Sequence, residues 1–168
     1  MFEVDWDGLR LLADVAEHRV RLTDGAGADV TGLFPELGAI ADLAPDVLLD
    51  GVVVLLDDGV PSAAALARRL DGGRAAGPAT FMAFDVLRLY GVPLLDRPLA
   101  QRRATLERLP FDTTSGAPVT RSPVYADGAA LLAATAQRGL PGLVAKRRES
   151  VYRPGVRCPD WLRVPVRP

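Results

Sequence analysis

The sequence predicts an α+β fold with mostly antiparallel sheets. Apolar strand segments follow one another across short turns, which is typical of antiparallel hairpins. Helical segments are mixed with these strands along the chain, and this mixture favours α+β. The 168 residues are enough to bury a core and contain no long linker, so we expect one domain over 1–168.

The first three strands are defined by their turns. We expect strands at 2–6 and 9–15, on either side of the Asp7-Gly8 turn. Segment 19–22 alternates apolar and charged residues, and it returns as a hairpin partner after the turn at Glu17 and His18.

The middle of the chain predicts two helices and a buried strand. Segment 35–43 begins with proline and glutamate, which favour the first turn of a helix. The β-branched, apolar run at 47–56 indicates a buried strand. Ser62 is a good N-cap for a helix that ends at Leu70, and the glycine-rich segment 71–78 is expected to form a surface loop.

The remaining elements follow from the same signals. Asp127 is a suitable N-cap for the last helix, and Gly139 ends it. A stripe of apolar residues at helical spacing indicates another helix at 98–109. The predicted strands are 80–89, 119–124, 143–147 and 161–166, and the predicted helices are 98–109 and 127–137.

The net charge of −1 hides an uneven distribution of charge. Residues 1–60 contain 3 arginines and 13 acidic residues, residues 61–137 contain 9 and 6, and residues 138–168 contain 8 basic and 2 acidic residues. The regional charges are therefore −10, +3 and +6. Such asymmetry indicates either a basic face for nucleic acid or a basic partner, or two ends that neutralise each other in the fold.

The composition excludes several classes of protein. No run approaches the roughly 18 apolar residues that a membrane span needs, and acidic residues interrupt any signal peptide at the amino terminus. The single Cys158 cannot form an internal disulfide, which favours a reducing, cytoplasmic setting. Cys158 and the single His18 are too few for a zinc site.

Five ordered segments carry a family resemblance. They are FEVDWDGLR at 2–10, DVTGLFPEL at 29–37, LLDGVVVLLDDGVPS at 48–62, FMAFDVLRLYGVPLLDRPLAQRR at 81–103 and GLVAKRRESVYRPGVRCPDWLRV at 142–164. In this order and at this spacing they resemble the adenylation (nucleotidyltransferase) core of bacterial ATP-dependent DNA ligases. The resemblance implies a ligase-type nucleotidyltransferase fold over nearly the whole chain, with two mainly antiparallel sheets flanked by helices.

The first segment departs from the family at the nucleophile. The family motif reads E-x-K-x-D-G-x-R, and its lysine attacks the α-phosphate of ATP to form a phosphoramidate, which is nucleophilic catalysis. The corresponding residue is Asp5, and Lys146 is the only lysine in the chain. The resemblance therefore implies a degenerate copy of the domain without a catalytic nucleophile.

Two further departures concern the metal. The family's metal- and ribose-binding glutamate after Asp-Gly corresponds to Val52, and its glutamate before G-[LV]-V-x-K corresponds to Pro141. Magnesium usually needs one or two carboxylates beside the phosphates. We expect no metal site and no Mg²⁺, whereas ATP stays an open candidate ligand.

Other family positions are retained as a predicted nucleotide-binding remnant. By resemblance, Glu3 contacts the adenine amine, Phe84 stacks on the purine, and Arg10 and Lys146 face the nucleotide. The full remnant is Glu3, Asp5, Arg10, Phe84, Lys146 and Arg163.

Each of these residues also has an interpretation without a ligand. Glu3 is then a surface strand residue, Phe84 belongs to the core, and Arg10 pairs with a nearby acid. Across the former phosphate site, Asp5 is expected to form a buried ion pair with either Lys146 or Arg163.

A basic segment near the carboxyl end is a candidate nucleic-acid contact. It contains Arg147, Arg148, Arg153 and Arg157. The alternative is an ordinary solvated loop. Contacts to phosphates would make the affinity depend strongly on salt.

Three functions remain open from the sequence. The first is a catalytically inactive ligase-like domain that acts as a binding or accessory module on DNA or a DNA-repair protein. The second is an active ATP-dependent ligase or nucleotidyltransferase with altered chemistry, and the third is an interaction module with a filled cleft. Family ligases also carry a segment before the nucleophile strand and an OB-fold domain after the last motif, and we expect both to be absent here.

Overall fold

The fold consists of two mainly antiparallel sheets, whose side chains meet around Lys146. It was obtained as a computed structural model, which describes residues 1–57, 59–72, 77–112, 114, 116–156 and 158–166. The smaller sheet has three strands and the larger sheet has seven. This arrangement confirms the predicted fold class.

The smaller sheet brings the two ends of the chain together. Its strands are β1 (Phe2–Val4), β9 (Gly142–Lys146) and β10 (Trp161–Pro165), in the order β1-β9-β10, and both pairings are antiparallel. Gly142 is required at the start of β9, because a Cβ atom there would lie 2.2 Å from the carbonyl oxygen of Val164.

The larger sheet is built on hairpins. Its main path contains β3 (Arg19–Asp24), β2 (Leu9–Ala16), β4 (Asp46–Asp57), β6 (Ala79–Leu89) and β7 (Val92–Pro93), in that order. Two short strands lie off this path: β5 (Val60–Pro61) pairs with β4, and β8 (Val119–Arg121) runs parallel to β6. The β2–β3 turn has positive φ at Glu17 and His18, as a type I′ hairpin turn demands.

Three α-helices cover the sheets: α1 (Ala63–Leu70), α2 (Leu99–Leu106) and α3 (Gly128–Gln137). The predicted caps are confirmed. The Ser62 hydroxyl accepts a hydrogen bond from the Ala65 amide at 3.2 Å, and the Asp127 carboxylate accepts from Ala129 and Ala130 at 2.9 and 3.0 Å.

Some predicted elements differ in length or type. The predicted helix 35–43 is a 3₁₀ helix at Pro35–Asp42, where Gly38 lowers the helix propensity. The predicted strand 119–124 ends at Arg121, since Pro123 follows and cannot donate to a ladder. The predicted helix 98–109 ends at Leu106, ahead of the helix-breaking Pro110. Residues 73–76 of the predicted surface loop lie outside the described residues.

The core lies mainly against one face of the larger sheet. Fully buried side chains there include Leu11, Phe34, Leu37, Ile40 and Phe81. A second, smaller cluster of Val4, Leu131 and Leu143 packs under α3. Among the described residues, no helix is long and apolar enough to cross a membrane.

The Asp7-Gly8 turn carries the chain from one sheet to the other. Thus the strands on either side of it are not a hairpin: β1 pairs with β9, and β2 pairs with β3 and β4. A Cβ atom on Gly8 would lie 2.3 Å from the carbonyl oxygen of Val53, so this close crossing requires glycine. The crossing links β1 of the smaller sheet directly to β2 of the larger sheet.

Candidate nucleotide cleft

The register of the smaller sheet explains why distant residues meet in the cleft. Glu3 lies opposite Val144, and Trp161 lies opposite Lys146. Side chains of directly opposed residues, and of residues two apart on one strand, share a face. Glu3, Lys146 and Trp161 therefore project from the same face, together with Arg163, which lies opposite Val144.

Lys146 is at the centre of this face. Its Nζ atom lies 2.8 Å from Oε1 of Glu3, and both side chains are nearly fully buried. Nζ is also 4.1 Å from the ring centroid of Phe84 and 4.4 Å from that of Trp161, which are cation–π distances. The two rings meet edge to face at 5.8 Å. We call Glu3, Phe84, Lys146 and Trp161 the Lys146 cluster.

Arg10 closes one side of the Lys146 cluster. Its Nε and Nη2 atoms donate to the two carboxylate oxygens of Asp50 at 3.0 and 2.5 Å. The Tyr152 hydroxyl donates to the same carboxylate at 2.8 Å. The hydrogen bond to Asp50 raises the pKa of Arg10, and burial followed by the Asp50 charge raises the pKa of Tyr152. Both groups therefore keep their protons at neutral pH.

A second buried ion pair supports the floor of the cleft. Arg102 donates from Nε and Nη2 to both oxygens of Asp85, at 2.9 and 2.8 Å, and both side chains are inaccessible to solvent. Nη1 of Arg102 donates to the carbonyl oxygens of Arg97 and Ser150. This bidentate pair fixes α2 against β6 and against the loop that follows β9.

Asp5 lies beside the Lys146 cluster without entering it. Its Oδ2 atom is 3.6 Å from Nε of Arg163. Burial raises the pKa of Asp5, the Arg163 charge opposes this shift, and the Asp7 charge adds to it. The side chain of Arg163 is 78% exposed, so the ion pair is formed at the rim of the cleft.

Three interpretations of single residues are corrected by these contacts. Glu3 is not a surface strand residue but is 2% exposed. The partner of Lys146 is Glu3 rather than Asp5. Glu3 lies opposite Val144, two residues from Lys146 on the same face of β9, whereas the Asp5 amide bonds to the carbonyl oxygen of Gly142, further along the strand. Of the two expected pairs, Asp5 forms the one with Arg163. The pair is not buried as expected, because the Arg163 side chain is 78% exposed, whereas that of Asp5 is only 16% exposed.

Two other interpretations agree with the structure. Arg10 pairs with a nearby acid, which is Asp50. Phe84 is 8% exposed and packs against Trp161, so it belongs to a packed interior as well as lining the cleft.

Several residues of the site escaped the sequence interpretation. They are Asp50, Asp85, Arg102, Tyr152 and Trp161. Asp85 did give a signal, because a charged residue inside the apolar strand FMAFDVL must be paired if it is buried. The partners of Trp161 and Tyr152 depend on contacts between the two sheets, which local patterns do not encode.

The two positions at which the resemblance expects carboxylates do not provide metal ligands. Val52 is half-buried in β4, with one methyl group directed towards the Gly8 crossing, and Pro141 is exposed before β9. Among the described residues, no three His, Cys, Asp or Glu side chains lie together in a way that could hold a metal ion. These residues do not fit a magnesium ion.

The predicted basic segment is on the surface. Arg147, Arg148 and Arg153 are exposed, and Arg147 lies 3.5 Å from an oxygen of Asp160. Arg157 lies outside the described residues.

The whole chain is similar to known ligases. The family model of the ATP dependent DNA ligase domain matches residues 1–164. The multifunctional non-homologous end joining DNA repair protein LigD of Mycobacterium tuberculosis is 40% identical over 165 residues, which are 96% of this chain and 21% of that protein. A probable DNA ligase of Streptomyces griseus is 37% identical over 173 residues, covering 94% of this chain and 34% of the relative.

Solved structures agree with this likeness. The ligase domain of Mycobacterium tuberculosis LigD superposes with a TM-score of 0.81 at 38% identity, over 98% of this chain and 52% of that one. A mycobacterial DNA ligase D complexed with ATP and MES gives a TM-score of 0.80 at 39% identity, over 96% of this chain and 52% of that one. The chain thus spans half of these ligase structures and a smaller part of the curated relatives, and its fold is that of their nucleotidyltransferase domains.

Proposed function

Because the chain belongs to the ATP dependent DNA ligase domain family, we propose that it is an adenylation-type domain that no longer adenylates itself and acts as a binding or accessory module in DNA repair. The proposal is carried by Asp5, which by resemblance takes the position of the family's nucleophilic lysine and which pairs with Arg163.

The chemistry of a carboxylate supports the loss of activity. A carboxylate is a poorer nucleophile than an amine, and the acyl phosphate that it would form hydrolyses readily. Its negative charge also repels a polyphosphate. At about 4 Å and an effective dielectric near 20, one such repulsion costs roughly 4 kcal/mol, before solvent and counterions reduce it.

The state of the Lys146 cluster supports the same conclusion. Glu3 and Phe84, which by resemblance would hold the purine, instead contact Lys146, and both are almost completely buried. Nucleotide binding would have to break the 2.8 Å ion pair between Glu3 and Lys146 or separate Phe84 from Trp161. Lys146 is the chain's only lysine, and its engagement argues against its use as a substitute nucleophile.

A role in DNA repair is supported by the relatives and by surface charge. LigD is by name an end-joining DNA repair protein, and the exposed Arg147, Arg148 and Arg153 offer positive charge for phosphates. A retained fold with an altered site is what a binding module would need, since function resides in the site rather than in the fold.

Calorimetry and intact-mass measurement together test the loss of activity. The protein is titrated with ATP with and without Mg²⁺, and its mass is recorded after incubation. We expect neither heat of binding at micromolar ATP nor a gain of one AMP group. An AMP adduct would overturn the proposal, and peptide mapping of the adduct to Lys146 would establish the altered chemistry in its place. The Asp5→Lys variant is the control. If an AMP adduct forms only in this variant and on the introduced lysine, the loss of self-adenylation is due to the residue at position 5.

DNA binding is tested with a charge-matched control. The Arg147→Ala/Arg153→Ala variant removes two charges from the basic segment, and the Arg19→Ala/Arg68→Ala variant removes two exposed charges elsewhere. We expect the first variant to weaken duplex binding and to lower the salt slope by about 2, and the second to leave both unchanged. Equal effects, or an affinity that does not depend on salt, would contradict a DNA contact by this segment.

A further inference from the structure

A cavity of about 530 Å³ opens beside α2, apart from the Lys146 cluster. Its wall combines one face of α2 with the segment that follows β8 and the loop that follows β9. The side chains that give it chemical character are Arg103, Glu107, Tyr125 and Arg148. The volume is within the range of sites that hold a nucleotide-sized ligand.

Arg103 is a buried cation whose hydrogen bonds are incomplete. Its side chain is 5% exposed. Nε lies 3.2 Å from Oε1 of Glu107, and Nη2 donates to the carbonyl oxygen of Ser122. Nη1 is buried and has no partner among the residues that the structure describes. Because the charge is delocalised over the guanidinium group, this incompletely neutralised cation makes the cavity attractive to an anion.

Tyr125 provides an aromatic surface on a fixed backbone. Its amide donates to the carbonyl oxygen of Phe2 at 2.8 Å, and its own carbonyl accepts from the Phe2 amide at 3.1 Å. The residue is nevertheless 40% exposed. It also lines a second, more apolar cavity of about 490 Å³ beside α3, so it forms a ridge between two depressions. A rigid, exposed ring at the edge of a cavity is suited to stacking.

Arg148 supplies an accessible positive charge at the mouth of the cavity. Its side chain is exposed and has no hydrogen bond or ion pair among the described residues. Its carbonyl oxygen accepts from the Ala100 amide at 2.9 Å, which holds this loop against α2. Glu107 is the opposing charge, and it is half-exposed and engaged with Arg103. The two arginines therefore leave one net positive charge among the charged side chains of the wall.

We propose that this cavity binds one nucleotide unit of a single-stranded nucleic acid. The base stacks on Tyr125, and the adjacent phosphate contacts Arg148 in the field of Arg103. A stacking ring beside cationic groups is the combination that single strands require, and it tolerates any base because every base has a π-face. The inference rests on the nucleic-acid role proposed above, but the cavity is a different site from the cleft around Lys146.

The experiment combines affinity with photocrosslinking on the intact chain. Binding of a short fluorescent single strand of thymidines is followed by anisotropy, with a duplex of equal length for comparison. We expect Tyr125→Ala to weaken single-strand binding by at least about fivefold and Arg148→Ala to reduce the salt slope by about 1. The matched controls are Tyr90→Ala, which removes a tyrosine that is 65% exposed on another hairpin, and Arg108→Ala, which removes an exposed arginine just after α2. A strand carrying 5-iodouracil should crosslink to Tyr125.

The results separate this site from the proposed function. Equal losses for Tyr125→Ala and Tyr90→Ala, or a crosslink that maps elsewhere, would overturn the site. So would a polyglutamate peptide that competes as well as the oligonucleotide, since it would show an acidic-peptide site. If duplex binding persists and responds to Arg147 and Arg153 while single strands do not bind, the inference fails and the proposed function stands. If AMP is transferred to the chain, the proposed function fails and the Tyr125 result is unaffected.

Discussion

The ammonium group of Lys146 lies 2.8 Å from the carboxylate of Glu3, although 143 positions separate the two residues. The pair joins the first strand of the chain to a strand near its end, and both members are almost fully buried. Phe84 and Trp161 cover the ammonium group from two directions. The site that was predicted by resemblance to bind a nucleotide thus contains an internal ion pair.

Removal of Lys146 should destabilise the fold strongly. In Lys146→Met the Glu3 carboxylate would stay buried without a partner, and such losses cost about 3–5 kcal/mol in the free energy of unfolding. In the double variant Glu3→Gln/Lys146→Met no buried charge is left, so part of this loss should be recovered. Urea denaturation of the four proteins in this cycle measures the coupling between the two residues.

The adjacent Arg147 provides the control for this prediction. Its side chain is 72% exposed and lies 3.5 Å from Asp160, so Arg147→Met should cost less than about 1 kcal/mol. If Lys146→Met unfolds at the same urea concentration as the parent, the ion pair does not stabilise the fold.

The Arg102–Asp85 pair should be at least as sensitive. Both side chains are fully buried, and Arg102 also donates to two backbone carbonyl oxygens. We expect Arg102→Met to lower the free energy of unfolding by about 3–5 kcal/mol, because it leaves the Asp85 carboxylate and two carbonyl groups unsatisfied. Arg108→Met, at an exposed position just after the same helix, should be close to neutral. Similar denaturation midpoints for the two variants would contradict the assigned role of Arg102.

Local signals in the sequence predicted most of the helices, strands and turns. They did not predict which distant residues pair with each other. The caps Ser62 and Asp127 and the turn at His18 act through neighbours a few residues away, so the residue types alone predicted them. The partner of Lys146 depends on the register of two strands that lie at opposite ends of the chain. By charge alone, Asp5 was a plausible partner of Lys146, and only the register of the strands places Glu3 beside Lys146.

The site illustrates the same limit. Glu3, Phe84 and Lys146 were predicted from a family resemblance, and the structure brings these three together. Trp161 and Tyr152 were missed because Trp161 contacts Phe84 and Tyr152 contacts Asp50, both in the larger sheet and both far away in sequence. The extent of the helix near 98–109 was overestimated because apolar periodicity continues through the turn that follows α2.

The N-cap of α3 offers a smaller and more local test. Asp127 accepts hydrogen bonds from the Ala129 and Ala130 amides, so Asp127→Ala should reduce the free energy of unfolding by about 1 kcal/mol. Asp127→Asn keeps an accepting oxygen and should recover most of the loss. Asp96→Ala, which removes an exposed carboxylate outside any helix, is the control. Equal stability of the Ala and Asn variants at position 127 would show that the cap does not stabilise the helix.

Asp5 predicts a pH dependence of unusual sign for a carboxylate. Burial raises its pKa in the native state despite Arg163, so the native state binds this proton more tightly than the unfolded state does. The contribution of Asp5 to stability is therefore full below the ordinary carboxyl pKa of about 3.9 and falls as the pH rises through the raised native pKa. Above this native pKa the ionised group opposes folding. The Asp5→Asn variant should then melt at a higher temperature than the parent, and the difference should disappear near about pH 3.

Melting curves recorded across this pH range test the argument. Asp57→Asn removes an exposed carboxylate at the end of β4 and should not reproduce the pH-dependent difference. If Asp5→Asn melts below the parent at neutral pH while Asp57→Asn does not, the attraction of Arg163 outweighs the cost of burying Asp5. The ion pair at the rim of the cleft would then stabilise the protein, and Asp5 would have a structural role.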